Sequence, residues 1–256
     1  MKLTFDKQLC INYKSPSQRT RVLTESWVRS QIYCPSCGRG DMQKYPNNQP
    51  VADFYCSHCG EDYELKSKQA SIGTRIVDGA YKTMMDRLRS DENPNLFLLS
   101  YDLSSLDVSN FLVVPKHFFI PGMIEKRKPL APTARRPLWV GCNIILQSLP
   151  SAGRIYLVRD HTAEPKDKVL LEWKRTSFLR DEKNGGAKGW MLDVMKCVEK
   201  LDKSGFSLAE VYAFEKDLSQ KHPENRHVKD KIRQQLQLLR NKGYLEFTGK
   251  GNYRVA

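Results

Sequence analysis

Two Cys-x-x-Cys pairs, Cys34 with Cys37 and Cys56 with Cys59, stand eighteen residues apart and constrain this chain more than any other feature. The spacing is the two-knuckle pattern of a four-cysteine zinc site, which staples structure and leaves no open coordination position for chemistry. Interleaved with it are Asp53 and, after ten further residues, Glu64-Leu65-Lys66. A metal held by the thiolates therefore also sets the separation of the two carboxylates. Val51-Ala-Asp-Phe-Tyr55 and Tyr63-Glu-Leu-Lys-Ser67 alternate and are rich in β-branched and aromatic residues, which predicts two strands. On a strand, side chains two apart share a face, so Glu64 and Lys66 point the same way. If the strands pair as a hairpin with the knuckle as its loop, Asp53 can join them. Two carboxylates and an ammonium on one spot suit metal-assisted phosphodiester hydrolysis, which needs hard oxygen ligands for a divalent cation and a nearby positive charge. Taken alone the carboxylate pattern is common by chance and equally describes a Glu–Lys pair on a solvated strand face.

The charge balance narrows the choice of partner. With 42 Lys and Arg against 29 Asp and Glu, the net charge is +13 and the pI about 9.4. Such an excess favours a polyanion, nucleic acid before membrane surface. No apolar run has the length of a signal peptide or a membrane span, so no membrane partner and a cytoplasmic location are expected. In that reducing setting Cys10, Cys142 and Cys197 are read as free thiols. A chain of 256 residues with 40% hydrophobic content accommodates one large domain and one small one.

In chain order, Ser15-Pro16-Ser17-Gln18 reads as a capping box, opening a helix whose stripe is Val22, Leu23, Trp27, Val28 and Ile32. Glu25 on that helix is within reach of a metal, although a solvated carboxylate is the simpler reading. Arg39 to Pro50 suits a zinc-ribbon loop. A second helix is expected from about Thr74 to Ser90, with Ile76, Val77, Ala80, Met84 and Leu88 inward. The apolar runs 96–101, 111–114 and 154–158 read as buried strands, giving an α/β fold with a mixed central sheet. Between the last two, residues 125–139 mix cations with prolines. Arg135 and Arg136 there could neutralise phosphates, while Trp139 is either a stacking wedge or the loop's apolar anchor.

Residues 178–189 are polar and glycine-rich, which places a linker there and divides the chain into domains at 1–180 and 181–256. Beyond it, one helical stripe precedes a second capping box, Ser207-Leu-Ala-Glu210, and a third helix runs from about Asn225 to Asn241. Val228, Ile232, Leu236 and Leu239 line one of its faces, and Arg226, Lys229, Arg233, Gln237 and Arg240 the other. A hairpin with Lys250 at its tip follows. Three helices and a two-stranded wing form a winged helix, with the third helix a candidate reader of the DNA major groove.

Val51-Ala-Asp-Phe-Tyr-Cys56, Glu64-Leu-Lys-Ser-Lys68, Asp78-Gly-Ala-Tyr81, Arg127-Lys-Pro-Leu-Ala-Pro-Thr-Ala-Arg-Arg136 and Lys231-Ile-Arg-Gln-Gln-Leu236 resemble stretches of the DpnI-like methyl-directed type II restriction endonucleases, over essentially the full length. The resemblance implies a PD-(D/E)XK restriction-endonuclease-like core with the four-cysteine zinc site inserted, plus a small C-terminal winged-helix domain. It also implies cleavage of double-stranded DNA at GATC carrying N6-methyladenine, by a bacterial enzyme expected to be monomeric. Asp53, Glu64 and the backbone carbonyl of Leu65 would bind Mg²⁺, Lys66 would orient or deprotonate the attacking water, and Cys34, Cys37, Cys56 and Cys59 would hold Zn²⁺. Ala52 stands where the motif's name expects proline, a position that shapes only the turn. The rival expectations are a zinc-ribbon and winged-helix regulator without nuclease activity, and a repair nuclease that recognises DNA structure.

Overall fold

A computed structural model describes residues 1–46, 52–90 and 92–256. Val51 of the first expected strand and residues 47–50 of the expected ribbon loop lie outside the described residues. The first helix, α1 (Pro16–Gln31), starts at proline as expected and buries Leu23, Trp27 and Val28. Ser15 makes no side-chain cap to its backbone, because its hydroxyl bonds Ser17 Oγ at 2.8 Å instead.

Strands β1 (Met42–Lys44), β2 (Phe54–Cys56) and β3 (Asp62–Gln69) follow. β2 and β3 form the expected hairpin, pairing Phe54 with Tyr63 and Tyr55 with Asp62 around the second knuckle. The pairing ends there, so the rest of β3 has an open edge on that side.

The expected helix over 74–90 divides into a strand, β4 (Arg75–Ala80), and a helix, α2 (Tyr81–Ser90). Burial in β4 alternates, with Ile76 inside and Val77 62% exposed. Both are β-branched, and their pairing partner is distant in sequence, so a helical period fitted the apolar positions only by coincidence.

The central sheet gains β5 (Asn95–Tyr101), β6 (Val108–Val114), β9 (Ile155–Arg159) and β10 (Thr162–Ala163), in the order β1-β2-β3-β5-β6-β9-β10. Only β3 and β5 run parallel, so the sheet is mixed. Every residue of β5 is buried, as its continuous apolar run requires of a strand covered on both faces. Phe97 and Leu99 face α1 and a later helix, α3 (Lys166–Thr176), which adds Val169 and Trp173 to the same core. Leu96 and Leu98 face the opposite core with Met84 of α2. A second sheet, ordered β4-β8-β7, lies on that side, formed with β7 (Ile124–Lys126) and β8 (Gly141–Ile145).

The expected linker is largely structured. A short 3-10 turn occupies Ser177–Arg180, and α4 (Gly185–Lys200) begins at the glycines, capped by Asn184. Gly189 is buried where α4 approaches the N-terminal core: a Cβ at that position would lie 3.6 Å from Ile120 Cδ1. These glycines thus lie in a helix and not in a loose tether. Lys196 Nζ donates to Gln147 O at 2.7 Å and Glu199 accepts from Ser151, so the C-terminal part is seated on the core.

That part continues with β11 (Gly205–Ser207), α5 (Leu208–Tyr212), α6 (Glu215–Lys221), α7 (Val228–Asn241), β12 (Leu245–Gly249) and β13 (Asn252–Val255). The Ser207/Glu210 capping box is complete. Val228, Ile232, Leu236 and Leu239 of α7 are buried as their spacing requires. β11 joins the wing as a third strand, ordered β11-β13-β12. Among the described residues no helix is long and apolar enough to cross a membrane.

Candidate active site and zinc knuckle

The four knuckle cysteines place their sulfurs within 4.8 Å of one another, with Cys34 Sγ to Cys59 Sγ and Cys37 Sγ to Cys56 Sγ both 3.6 Å. Four thiolates around Zn²⁺ at about 2.3 Å require sulfur separations of about 3.8 Å, so the donor set fits that ion. The two knuckles repeat one local design. Gly38 N–H donates to Cys34 O and Gly60 N–H to Cys56 O, with φ of +78° and +69° that only glycine adopts without strain. Burial pushes the Cys59 thiol up to about 11, whereas at Cys56 burial is outweighed by the backbone N–H groups of Cys59 and His58, which lower its pKa. Such N–H groups favour the thiolate, the form that binds metal.

Glu64 and Lys66 lie on one face of β3 and Leu65 on the other. Lys66 Nζ bonds Glu64 Oε1 at 2.6 Å and Asp78 Oδ1 of β4 at 2.7 Å. These three side chains line a cavity of about 200 Å³ with Gly79, Ala80, Thr83, Met84 and Arg87. Asp53 stands at the open edge, where its carboxylate accepts the Leu65 N–H at 2.7 Å. It opens on a neighbouring hollow of about 230 Å³ with Arg21, Thr24, Glu25, Leu65 and Ser67. Glu64 and Lys66 thus meet directly with Asp78 as a third partner, whereas Asp53 is tied to the same strand through the Leu65 N–H and opens on the adjoining hollow.

Burial raises the Glu64 carboxyl above its ordinary range; Lys66 opposes the rise and Asp78 adds to it. Burial also raises Asp53, against the pull of the Leu65 N–H and with the help of Glu25. At Lys66 burial disfavours the charge, yet the two carboxylates outweigh it and hold the pKa above the usual lysine value. Glu25 is not a solvated carboxylate: it is 9% exposed and paired with Arg21 Nε and Lys44 Nζ, both at 2.7 Å. Sequence reasoning assigned no role to Asp78. The alternation of Arg75-Ile-Val-Asp78 was the available signal.

The cationic loop is an irregular extension of the β7–β8 hairpin, with Arg127 N–H donating to Gly141 O and Leu130 N–H to Trp139 O. Arg135 and Arg136 are exposed on it. Trp139 is half-buried, its ring lying so close over Gly141 that a Cβ there would come within 2.8 Å of Cη2 and Cζ3. It anchors the loop with part of the ring still accessible.

On α7, Arg233 and Gln237 face outward, while Lys229, also exposed, pairs with Glu215 at 3.3 Å. Arg226 precedes the helix, and Lys250 is exposed at the wing tip.

Two protein-family models cover nearly the whole chain. The model of the Dam-replacing family, DpnI, matches residues 1–182, and that of the Dam-replacing HTH domain matches residues 186–255.

Proposed function

The chain belongs to the Dam-replacing family of DpnI-type restriction endonucleases, and from that premise we propose that it hydrolyses double-stranded DNA at GATC sites whose adenine carries an N6-methyl group, at the β3 edge and with Mg²⁺. The observation that carries the site assignment is the shared edge. Asp53 is held on the Leu65 N–H, and a residue's N–H and C=O point to the same side of a strand, so the Leu65 carbonyl faces the same opening. Asp53, Glu64 and that carbonyl would supply the hard oxygen donors a divalent cation takes, and carboxyls whose pKa burial raises are suited to a cationic partner. When bound, Mg²⁺ would polarise the scissile phosphate and acidify a water. Lys66, kept protonated by Glu64 and Asp78, is better suited to orient that water and offset phosphate charge than to accept a proton.

DNA would be gripped from two directions. Arg135 and Arg136 on the loop neutralise backbone phosphates near the site, with Trp139 giving the loop a fixed apolar edge. Arg226, Lys229, Arg233 and Gln237, with Lys250 on the wing, would contact DNA from the C-terminal domain, with the exposed Arg233 and Gln237 as the readers of base edges. One buried methyl group contributes only about 1 kcal/mol. Methyl dependence therefore rests as well on a poor fit around the unmethylated base.

The test is digestion, with Mg²⁺, of one plasmid grown in a strain that methylates adenine in GATC and in one that does not. Cutting of the methylated plasmid alone, into the fragments the GATC positions dictate, is the expected result. Cutting of both would remove the methyl dependence from this reading, and cutting of neither with DNA binding intact would leave only a DNA-binding protein.

A further inference from the structure

Asp78 reaches the candidate site from the second sheet. β4 pairs with β8 in register as far as Asp78 opposite Cys142, after which Ala80 stands opposite Gly141, leaving Gly79 as an extra residue. A bulge of this kind bends a strand and re-aims the adjoining side chain. Directly after it the chain is pinned by Tyr81 N–H donating to Val140 O at 3.0 Å. The Asp78 side chain is only 9% exposed, and its carboxylate takes a hydrogen bond from Lys66 Nζ across the gap between the two sheets.

We propose that Asp78 is a positioning residue that holds Lys66 in its working orientation, an inference resting on the reading that Lys66 serves the cleavage reaction. A lysine side chain has four rotatable bonds, so an unanchored ammonium would sample many positions. Two carboxylates hold it here, but they are not equivalent. Glu64 lies on the donor edge with Asp53, and a cation bound there claims the carboxylate that Lys66 also uses. Asp78 is on the other sheet, across the cavity, and is left as the anchor that stays with Lys66 throughout. The sequence separates the tasks in the same way: Glu64 is two residues from Lys66 on one strand, whereas Asp78 depends on the docking of the second sheet.

The experiment compares wild type, Asp78→Asn, Asp78→Glu, Lys66→Ala and the double variant Lys66→Ala/Asp78→Asn on a methylated GATC duplex. Displacement of a positioned group by about 1 Å costs on the order of 10²-fold in rate. Asp78→Asn is expected to lower kcat by that order, with KM and metal-free DNA affinity by fluorescence anisotropy within about twofold of wild type. Asp78→Glu should recover part of the loss. In the Lys66→Ala background the Asn substitution should have no further effect, because an anchor without its lysine has nothing to hold. Additive losses, an unchanged kcat in Asp78→Asn, or a parallel loss of DNA affinity and melting temperature would each overturn the proposal. A wild-type protein that cuts nothing would overturn the cleavage reading and this one together, whereas an active wild type with an indifferent Asp78→Asn would overturn this one alone.

Discussion

The β2–β3 hairpin carries two sites a few residues apart, and they are built in opposite ways. At its turn, four cysteines from two short local motifs surround one point, each knuckle closed by its own glycine and amide groups. Along its open edge, residues from three separate places approach one another: Asp53 before β2, Glu64 and Lys66 on β3, and Asp78 on another sheet. The turn is a closed donor set whose purpose is to be left undisturbed. The edge concentrates partly buried acids whose pKa values are raised, an arrangement that costs stability and is typical of a site kept for chemistry.

The largest expected effect tests the closed half. Folding of small zinc modules is coupled to metal binding worth about 10 kcal/mol or more. Cys56→Ala, or removal of metal with a strong chelator, should therefore unfold the knuckle, with loss of one zinc per chain by elemental analysis and a large drop in melting temperature. Cleavage should fail as well, because the hairpin that spaces Asp53 from Glu64 is gone. A metal-free protein that melts like the untreated one would break the comparison at its first step.

Next in size is the converse test on the edge. Asp53→Ala and Glu64→Ala should each reduce cleavage by roughly 10²- to 10⁴-fold, the range for groups that act directly in the transition state. Zinc content and DNA affinity should stay near wild type, and the melting temperature should hold or rise, since each change removes a carboxyl whose pKa desolvation has raised. A fall in melting temperature comparable to that of Cys56→Ala would mean that the two sites are not distinct in kind.

The same contrast explains what could be read from the sequence. Knuckle spacing, the alternation of Tyr63 to Ser67 and the stripe of Val228, Ile232, Leu236 and Leu239 are local patterns, and the structure contains them all. What eluded the sequence depended on distant partners. Arg75–Ala80 became a strand because β8 pairs with it, and Glu25 is buried because Arg21 and Lys44 close over it. The glycines at 185, 186 and 189 read as a linker by composition, but they open a helix that docks near Ile120. Asp78 has no meaning until the second sheet brings it to Lys66. Local spacing reports elements, whereas a site assembled from several elements is only partly visible before they meet.

The smallest effect is a response to acid, in which the two ends of the hairpin should differ in sign. Beside the turn, Glu61 is buried and binds Arg180 Nη2 at 2.8 Å and Asn95 Nδ2 at 2.8 Å, which ties the knuckle to the segment leading into α4. Arg180 Nε in turn faces His117 Nδ1 at 3.5 Å, and His117 Nε2 lies 3.2 Å from Thr176 Oγ1. Burial, with Arg180, Lys188 and Lys116 nearby, lowers the His117 pKa from 6.5 to about 3. Between those values the unfolded chain binds a proton that the folded chain refuses, so stability is whole above pH 6.5 and is lost as the pH falls towards 3. At pH 5 the loss from this one group is about 2 kcal/mol. The carboxyls of the edge act the other way. Their folded pKa values are raised, so on acidification the folded state takes up their protons before the unfolded state does and is favoured. Urea unfolding of the zinc-loaded protein between pH 7.5 and 5 should therefore show a decline that His117→Gln flattens and Asp53→Asn leaves in place or steepens. A decline that survives His117→Gln undiminished would assign the acid response to other groups and remove the opposition in sign between the two ends.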